Sequence, residues 1–141
     1  MDTAYKTTLE LDKVLNRAVQ LCACQETKEM MQALEPAPTI EDERYDLTQT
    51  NAINALLIKN GSPRFGSVRE VRRIVAHARK GGILSMGELL EIAATLRNFS
   101  GLSQWYGLSE HEMLPTDDLF FALAPQPVLE KQISESILSP E

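Results

Sequence analysis

The fold is decided by the stretch at residues 85–99, which reads SMGELLEIAATLRNF. Ser85 and Glu88 have the spacing of a capping box, in which each side chain accepts a hydrogen bond from the other residue's backbone N–H. Apolar residues then recur at intervals of three and four, which lines one face of an α-helix with Leu89, Ile92, Ala93, Leu96 and Phe99. The pattern predicts a helix that extends to Tyr106, with Trp105 and Tyr106 as core or interface anchors near its end.

The same helical spacing of apolar residues recurs on both sides of this stretch. Breaks occur at Glu35-Pro36-Ala37-Pro38 and at Asn60-Gly61, because proline disfavours a continuing helix and glycine accommodates a left-handed C-terminal turn. Further helices are predicted over residues 11–22, 26–34, 39–60, 68–80, 117–123 and 128–138. No strand longer than a few residues is predicted, so the fold class is all-α, an irregular multi-helix bundle.

The apolar positions of these segments define the expected core. In the first two helices the inward positions are predicted to be Leu11, Val14, Leu15, Ala18, Cys22, Met30, Met31 and Leu34. In the helix at 68–80 they are predicted to be Val68, Val71, Ile74, Val75 and Ala78.

Length and composition are those of one ordinary globular domain. The chain has 141 residues, 43% hydrophobic and 24% charged, which allows a buried core. No apolar run approaches the length of about 18 residues that a membrane-spanning helix needs. The first residues, MDTAYK, lack the basic and apolar regions of a secretory signal. We therefore expect residues 1–141 to be one helical segment located in the cytoplasm.

Charge is distributed unevenly along the chain. Residues 59–80 include seven basic side chains and one acid, Glu70, whereas the whole chain has a net charge of −6. The candidate contact residues for nucleic acid or a protein partner are Arg64, Arg69, Arg72, Arg73 and Lys80. Two interpretations stay open: a solvated helix face, or a docking surface for phosphates or an acidic protein. The predicted helix has no aromatic residue for base stacking, although Phe65 lies just before it.

Residues for catalysis, a metal or a cofactor are not indicated. Cys22 and Cys24 could supply half of a zinc site, but His77 and His111 are distant and unpatterned, so two buried or half-buried small residues are the simpler interpretation. The loop at residues 61–67 lacks the preceding strand and the lysine of a phosphate-binding P-loop. We predict no catalytic residue, no metal ligand and no cofactor-binding residue in this chain.

An ordered set of short motifs resembles the N-terminal end of the bacterial MutS-two family, the MutS paralogue that lacks the mismatch-reading domain. The motifs lie between residues 8 and 97 and are TLELDKVL at 8–15, KE at 28–29, LEP at 34–36, GSPRFG at 61–66, VREV at 68–71, GGIL at 81–84 and ELL at 88–90. Departures from the family pattern are Cys24 and Thr27, where serine and glycine are usual, and Asn51, where glutamate is usual.

The resemblance implies a larger parent protein: a homodimeric, DNA-binding ATPase that uses ATP and magnesium and has a C-terminal Smr nuclease domain. It also implies roles in suppressing recombination or in rescuing ribosomes, with contacts to ribosomal RNA. This chain would then be part of the MutS-like helical core or lever. A segment taken from such a core should expose apolar side chains, and we expect Trp105, Phe120 and Phe121 to be among them.

Overall fold

A computed structural model of the protein describes residues 10–64, 66, 69–108 and 112–137. Within these ranges the chain is all-α and contains no strand, as predicted. Its helices are α1 (Leu11–Leu21), α2 (Gln25–Gln32), α3 (Ile40–Asn60), α4 (Arg72–Arg79), α5 (Met86–Tyr106), α6 (Asp117–Phe121) and α7 (Pro127–Ser136). None of these helices is long and apolar enough to cross a membrane.

The chain divides into two compact units, one ending at Pro36 and the other beginning at Ala37. The first unit contains α1 and α2, which pack against each other, and Leu15 is the buried residue of its described part. Several residues predicted to face inward are exposed here, namely Val14, Met30 and Leu34. That part of the prediction is wrong, because a pair of short helices has too little surface to cover both of its apolar faces.

The long helices of the second unit begin where their capping residues predict. The Thr39 side chain accepts a hydrogen bond from the Asp42 backbone N–H at 3.1 Å, and α3 ends before Gly61, whose φ is 72°. At the start of α5, Glu88 N–H donates to Ser85 Oγ at 3.3 Å and Ser85 N–H donates to Glu88 Oε2 at 2.8 Å. The predicted capping box is therefore confirmed.

The core of the second unit lies where α3, α5 and α6 meet. Leu56, Trp105 and Tyr106 are buried together, and the partly buried residues around them are Ile53, Leu57, Leu114 and Phe120. The rings of Tyr106 and Phe120 stack with their centroids 3.8 Å apart. Trp105 is only 7% exposed, so its prediction as a core anchor is confirmed and the expectation that it is exposed is wrong. The expectation of an exposed side chain is also wrong for Phe120, which is partly buried, whereas Phe121 is 72% exposed as expected.

A buried polar network of Tyr106, Thr116 and Asp117 lies beside this core. The Tyr106 hydroxyl donates to Asp117 Oδ1 at 2.7 Å and lies 2.8 Å from the hydroxyl of Thr116, which is 1% exposed. Burial raises the pKa of the Tyr106 hydroxyl, and the neighbouring Asp117 carboxylate acts in the same direction. The network fixes the loop before α6 against the end of α5.

Helix α7 packs against α5 and also makes a charged contact with it. Arg97 on α5 forms an ion pair with Glu130 and donates a hydrogen bond to Ser134 at 3.2 Å. Ser134 in turn donates to Glu130 at 3.0 Å. The guanidinium of Arg97 lowers the pKa of the Glu130 carboxyl.

Candidate nucleic-acid interface

The basic segment, which we define as residues 64–80, connects α3 to α5 in the second unit. Just before it, the Trp105 indole N–H donates to the Gly61 carbonyl at 2.8 Å, and the Asn60 side-chain amide donates to the Trp105 carbonyl at 3.1 Å. These reciprocal hydrogen bonds join the C-terminal end of α3 to that of α5. The basic segment therefore starts from a fixed point.

A second contact holds the loop itself. The Gly66 N–H donates to Asn98 Oδ1 on α5 at 3.0 Å. A Cβ atom added at position 66 would clash with the Asn98 side chain, so glycine permits this close approach. Phe65, Ser67 and Val68 lie outside the described residues, so the predicted role of Phe65 stays a prediction.

The helix of the basic segment is shorter than predicted. It begins at Arg72 rather than at Val68, and Arg69 and Glu70 are irregular coil before it. Val71 occupies the N-cap position without a side-chain hydrogen bond, since valine has no polar group to cap a helix. Arg69 therefore lies ahead of the helix and not on its face, which corrects the predicted stripe.

All five predicted contact residues are exposed, but the structure places them on different elements. Arg64 lies in the loop, Arg69 in the coil, Arg72 and Arg73 in the first turn of α4, and Lys80 at its C-cap. Among the described residues, Arg64, Arg69, Arg73 and Lys80 form no ion pair with a carboxylate. The charges of Arg64, Arg69 and Lys80 are therefore presented to solvent.

Helix α4 separates its cations onto two sides. Arg72 and Arg79 are seven residues apart and share one side, because each residue turns an α-helix by about 100°. Arg79 was not among the predicted contact residues, although this seven-residue spacing was visible in the sequence. Of the predicted apolar positions on α4, Ile74 is buried, but Val75 is 41% exposed and Ala78 is exposed. The prediction that Val75 and Ala78 face inward is wrong, because helical spacing places residues on one face without supplying a neighbour that covers them.

Arg73 faces a cleft of about 500 Å³ rather than the open side of α4. The cleft is lined by Glu70, Arg73, Ile74, His77, Glu88 and Glu91. Hydrogen bonds from Ser85 lower the pKa of the Glu88 carboxyl, and the nearby His77 acts in the same direction. Three carboxylates around one guanidinium make this side unfavourable for phosphate, so Arg64, Arg69, Arg72, Arg79 and Lys80 are the better-placed cations.

His77 is exposed, as expected for a surface residue, and its ring lies against Gly82, where a Cβ atom would clash. His111 is outside the described residues. Cys22 and Cys24 are free thiols, and both are half-buried. The described part of the chain contains no group of three or more His, Cys, Asp or Glu side chains that could hold a metal ion.

An apolar cleft was not predicted from the sequence. It has a volume of about 350 Å³ and lies beside the core, lined by Ile53, Leu57, Pro63, Leu102, Trp105, Leu119, Phe120 and Leu123. Its walls come from α3, α5 and α6, which are far apart in the sequence. Only their packing against one another creates the cleft, so periodicity within a single helix could not indicate it.

Comparison with known proteins identifies relatives along most of the chain. It is 29% identical over 141 residues to the protein named Endonuclease MutS2 from Ruminiclostridium cellulolyticum, covering 99% of this chain and 18% of that protein. Proteins of the same name from Clostridium beijerinckii and Halothermothrix orenii are 27% and 28% identical, over 93% and 74% of this chain and 17% and 13% of theirs.

The similarity to the Ruminiclostridium protein extends past Arg97, where the sequence motifs fade. No protein-family model and no solved structure matches the chain. The chain spans less than a fifth of the length of these relatives. The predicted resemblance is confirmed: the chain is MutS2-like.

Proposed function

We propose that this chain is a non-catalytic helical core or lever segment of a MutS-like, DNA-binding ATPase and endonuclease. The parent protein would act in the cytoplasm as a homodimer, using ATP and magnesium at sites outside this chain. Its role would lie in suppressing recombination or in rescuing ribosomes through contacts with ribosomal RNA. The name shared by the relatives supports the endonuclease part of this proposal.

The observation that carries the lever proposal is the joint between α3 and α5. These are the two longest described helices, with 21 residues each, so each extends about 30 Å. Their C-terminal ends are joined by the hydrogen bonds between Trp105, Gly61 and Asn60, and the apolar contact of Leu56 with Trp105 and Tyr106 reinforces the joint. Packed protein interiors deform little. A displacement of α3 at this joint should therefore move α5 by a similar amount.

The test is made in the parent protein with Trp105→Phe, which keeps an aromatic ring but removes the N–H that donates to Gly61. We expect basal ATP hydrolysis to be unchanged and its stimulation by DNA to fall several-fold. Gln104→Ala is the matched control, because Gln104 is the exposed neighbour on the same helix. Unchanged stimulation in Trp105→Phe, together with a thermal shift showing that the joint is weakened, would rule out the lever role.

A second candidate function is direct binding of nucleic-acid phosphates or of an acidic protein surface by the basic segment. The exposed Arg64, Arg69 and Lys80, which form no ion pair with the described carboxylates, favour it. Such binding weakens steeply as salt rises, because phosphate contacts release counterions. No sequence preference is expected, since base readout needs contacts to base edges.

Binding experiments on the present chain test this candidate function directly. We expect binding to a fluorescent DNA or RNA duplex at low salt that is lost in the triple variant Arg64→Glu, Arg69→Glu, Lys80→Glu. A control with the same charge change outside the basic segment is Lys13→Glu, Arg17→Glu, Lys131→Glu, which should retain most of the binding. Equal losses in the two variants would indicate net charge alone, and no binding at low salt would exclude nucleic-acid binding by the basic segment.

A further inference from the structure

The turn between α1 and α2 carries the two cysteines of the chain, separated by Ala23. Cys22 is the C-cap of α1, and Cys24 is the N-cap of α2. Both thiols are free and half-buried, so solvent reaches them. The nucleic-acid and lever proposals make no use of either residue.

The backbone of the turn brings the two residues within bridging range. Two fully extended residues span at most about 7 Å, and a disulfide joins Cα atoms about 4.4–6.8 Å apart. The chain bends at Ala23 and Cys24, which shortens the span. Cys22 has ψ 132° and Cys24 has φ −131° and ψ 161°, both extended. Ala23 lies in the bend between them, so bridging needs rotation of both side chains and a backbone adjustment at Ala23.

Weak contacts hold the thiols in their present positions. Cys22 Sγ donates to the Ala18 carbonyl at 3.4 Å, and Cys24 Sγ lies 3.0 Å from the Thr27 hydroxyl. Thiols are weak hydrogen-bonding groups, so breaking these contacts costs little. Neither cysteine is among the buried core residues, so rotation does not open a cavity there.

We propose that Cys22 and Cys24 are a reversible oxidation site, in which a peroxide converts the two thiols into a disulfide across the turn. One thiolate attacks a peroxide oxygen; an S–O bond forms, the O–O bond breaks, and the departing hydroxide takes a proton to become water. The second thiolate attacks the sulfenic sulfur, forming the S–S bond and releasing the sulfenic oxygen as a second water. The thiols lose two electrons and two protons, and hydrogen peroxide is reduced to two waters.

The disulfide should be easily reduced again. It closes a very short loop, so it restricts the unfolded chain little and adds little stability. Any departure from relaxed geometry makes the bond more reducible. These properties suit a transient redox site rather than a structural crosslink.

The experiment uses the whole chain treated with one equivalent of hydrogen peroxide, then an alkylating reagent and trypsin. Cleavage after Arg17 and Lys28 gives the peptide AVQLCACQETK, which contains both cysteines. We expect this peptide to be two hydrogen atoms lighter than the reduced peptide and to resist alkylation. Treatment with dithiothreitol should restore both alkylation sites. The rate of the second step should not depend on protein concentration.

Cys22→Ser and Cys24→Ser are the matched controls, because each keeps one thiol and removes its partner. In either variant the peptide should gain oxygen at the remaining cysteine or appear in a crosslink between two chains. If the unaltered chain ends as these variants do, with oxygen retained on a cysteine or with crosslinked dimers and no peptide lighter by two hydrogen atoms, the proposed site does not exist.

Discussion

The joint at Trp105 and the basic segment at residues 64–80 hold their side chains in opposite ways. Around Trp105, apolar contacts, stacked rings and hydrogen bonds fix each group, and little of it reaches solvent. In the basic segment, Arg64, Arg69 and Lys80 extend into solvent without an ion pair to a described carboxylate. Stability and surface charge therefore depend on different residues. Substitutions around Trp105 should change the unfolding free energy, whereas substitutions of exposed cations in the basic segment should leave it nearly unchanged.

The largest effect on the unfolding free energy is expected from Trp105→Ala, which removes a buried indole ring and its hydrogen bond to Gly61. Truncating a buried tryptophan costs about 3–5 kcal/mol of unfolding free energy. Urea unfolding followed by circular dichroism measures this loss. Phe121→Ala is the control, because that side chain is 72% exposed, and it should change the value by less than about 0.5 kcal/mol. Similar losses in both variants would contradict the assignment of the core.

The helices around this joint were predictable from local signals. Thr39, Gly61 and Ser85 lie next to the segments they bound, and their caps depend only on neighbouring residues. The start of α4 was not predictable in the same way. The loop before it is held at Gly66 by Asn98, which is 32 residues away in the sequence. Contacts over such distances leave no periodic pattern.

Burial was harder to predict than helicity. Trp105 is covered by Phe120 from α6 and bonded to Gly61 from the end of α3. Met30 and Leu34 keep their helical spacing but are exposed in the first unit. Periodicity shows which residues share a face, whereas burial also requires a neighbouring element. For the same reason the sequence identified the cations but not the acidic cleft that faces Arg73.

An intermediate effect is expected from Tyr106→Phe, which leaves the Thr116 hydroxyl buried without its aromatic partner. Removing one member of a buried hydrogen-bonded pair costs about 1–3 kcal/mol. Tyr45→Phe is the control, because Tyr45 is exposed and its hydroxyl lies 3.5 Å from the Pro115 carbonyl. Equal stability of Tyr106→Phe and the unaltered chain would mean that the network contributes nothing.

The network of Tyr106, Thr116 and Asp117 should also make the unfolding free energy depend on pH in the alkaline range. The folded pKa of Tyr106 is raised above its ordinary value of 10.0. The stability it contributes is therefore complete below that value and is lost as the pH rises through the higher folded pKa. Unfolding free energy should fall above pH 10.0 in the unaltered chain, and this fall should shrink in Tyr106→Phe. Denaturant titrations on both sides of that pH measure it.

A smaller loss is expected from Ser85→Ala, which removes the N-cap of α5. Losing a serine cap costs about 1 kcal/mol. Ser136→Ala is the control, because that hydroxyl is exposed and bonds only the Gln132 carbonyl at the end of α7. A loss no larger than the control's would show that the capping box does not stabilise α5.

Acid should remove part of the stability that the capping box of Ser85 and Glu88 contributes. The pKa of Glu88 is lowered from 4.5 by hydrogen bonds from Ser85. Its contribution to stability is present above that value and is lost as the pH falls through the lower folded pKa. The loss of unfolding free energy on acidification should be smaller in Ser85→Ala, where one donor to Glu88 is missing. Unfolding titrations of the unaltered chain and of Ser85→Ala, at neutral and at acid pH, measure the difference.

The smallest effect on stability is expected from the double variant Arg69→Ala, Arg73→Ala. Both side chains are exposed and form no ion pair with the described carboxylates, so unfolding free energy should change by less than about 0.5 kcal/mol. Arg97→Ala is the contrasting control, since it breaks the contact with Glu130 and Ser134 that attaches α7. If the double variant loses as much stability as Arg97→Ala, the two arginines support the fold, and the exposure of Arg69 no longer argues for a binding surface.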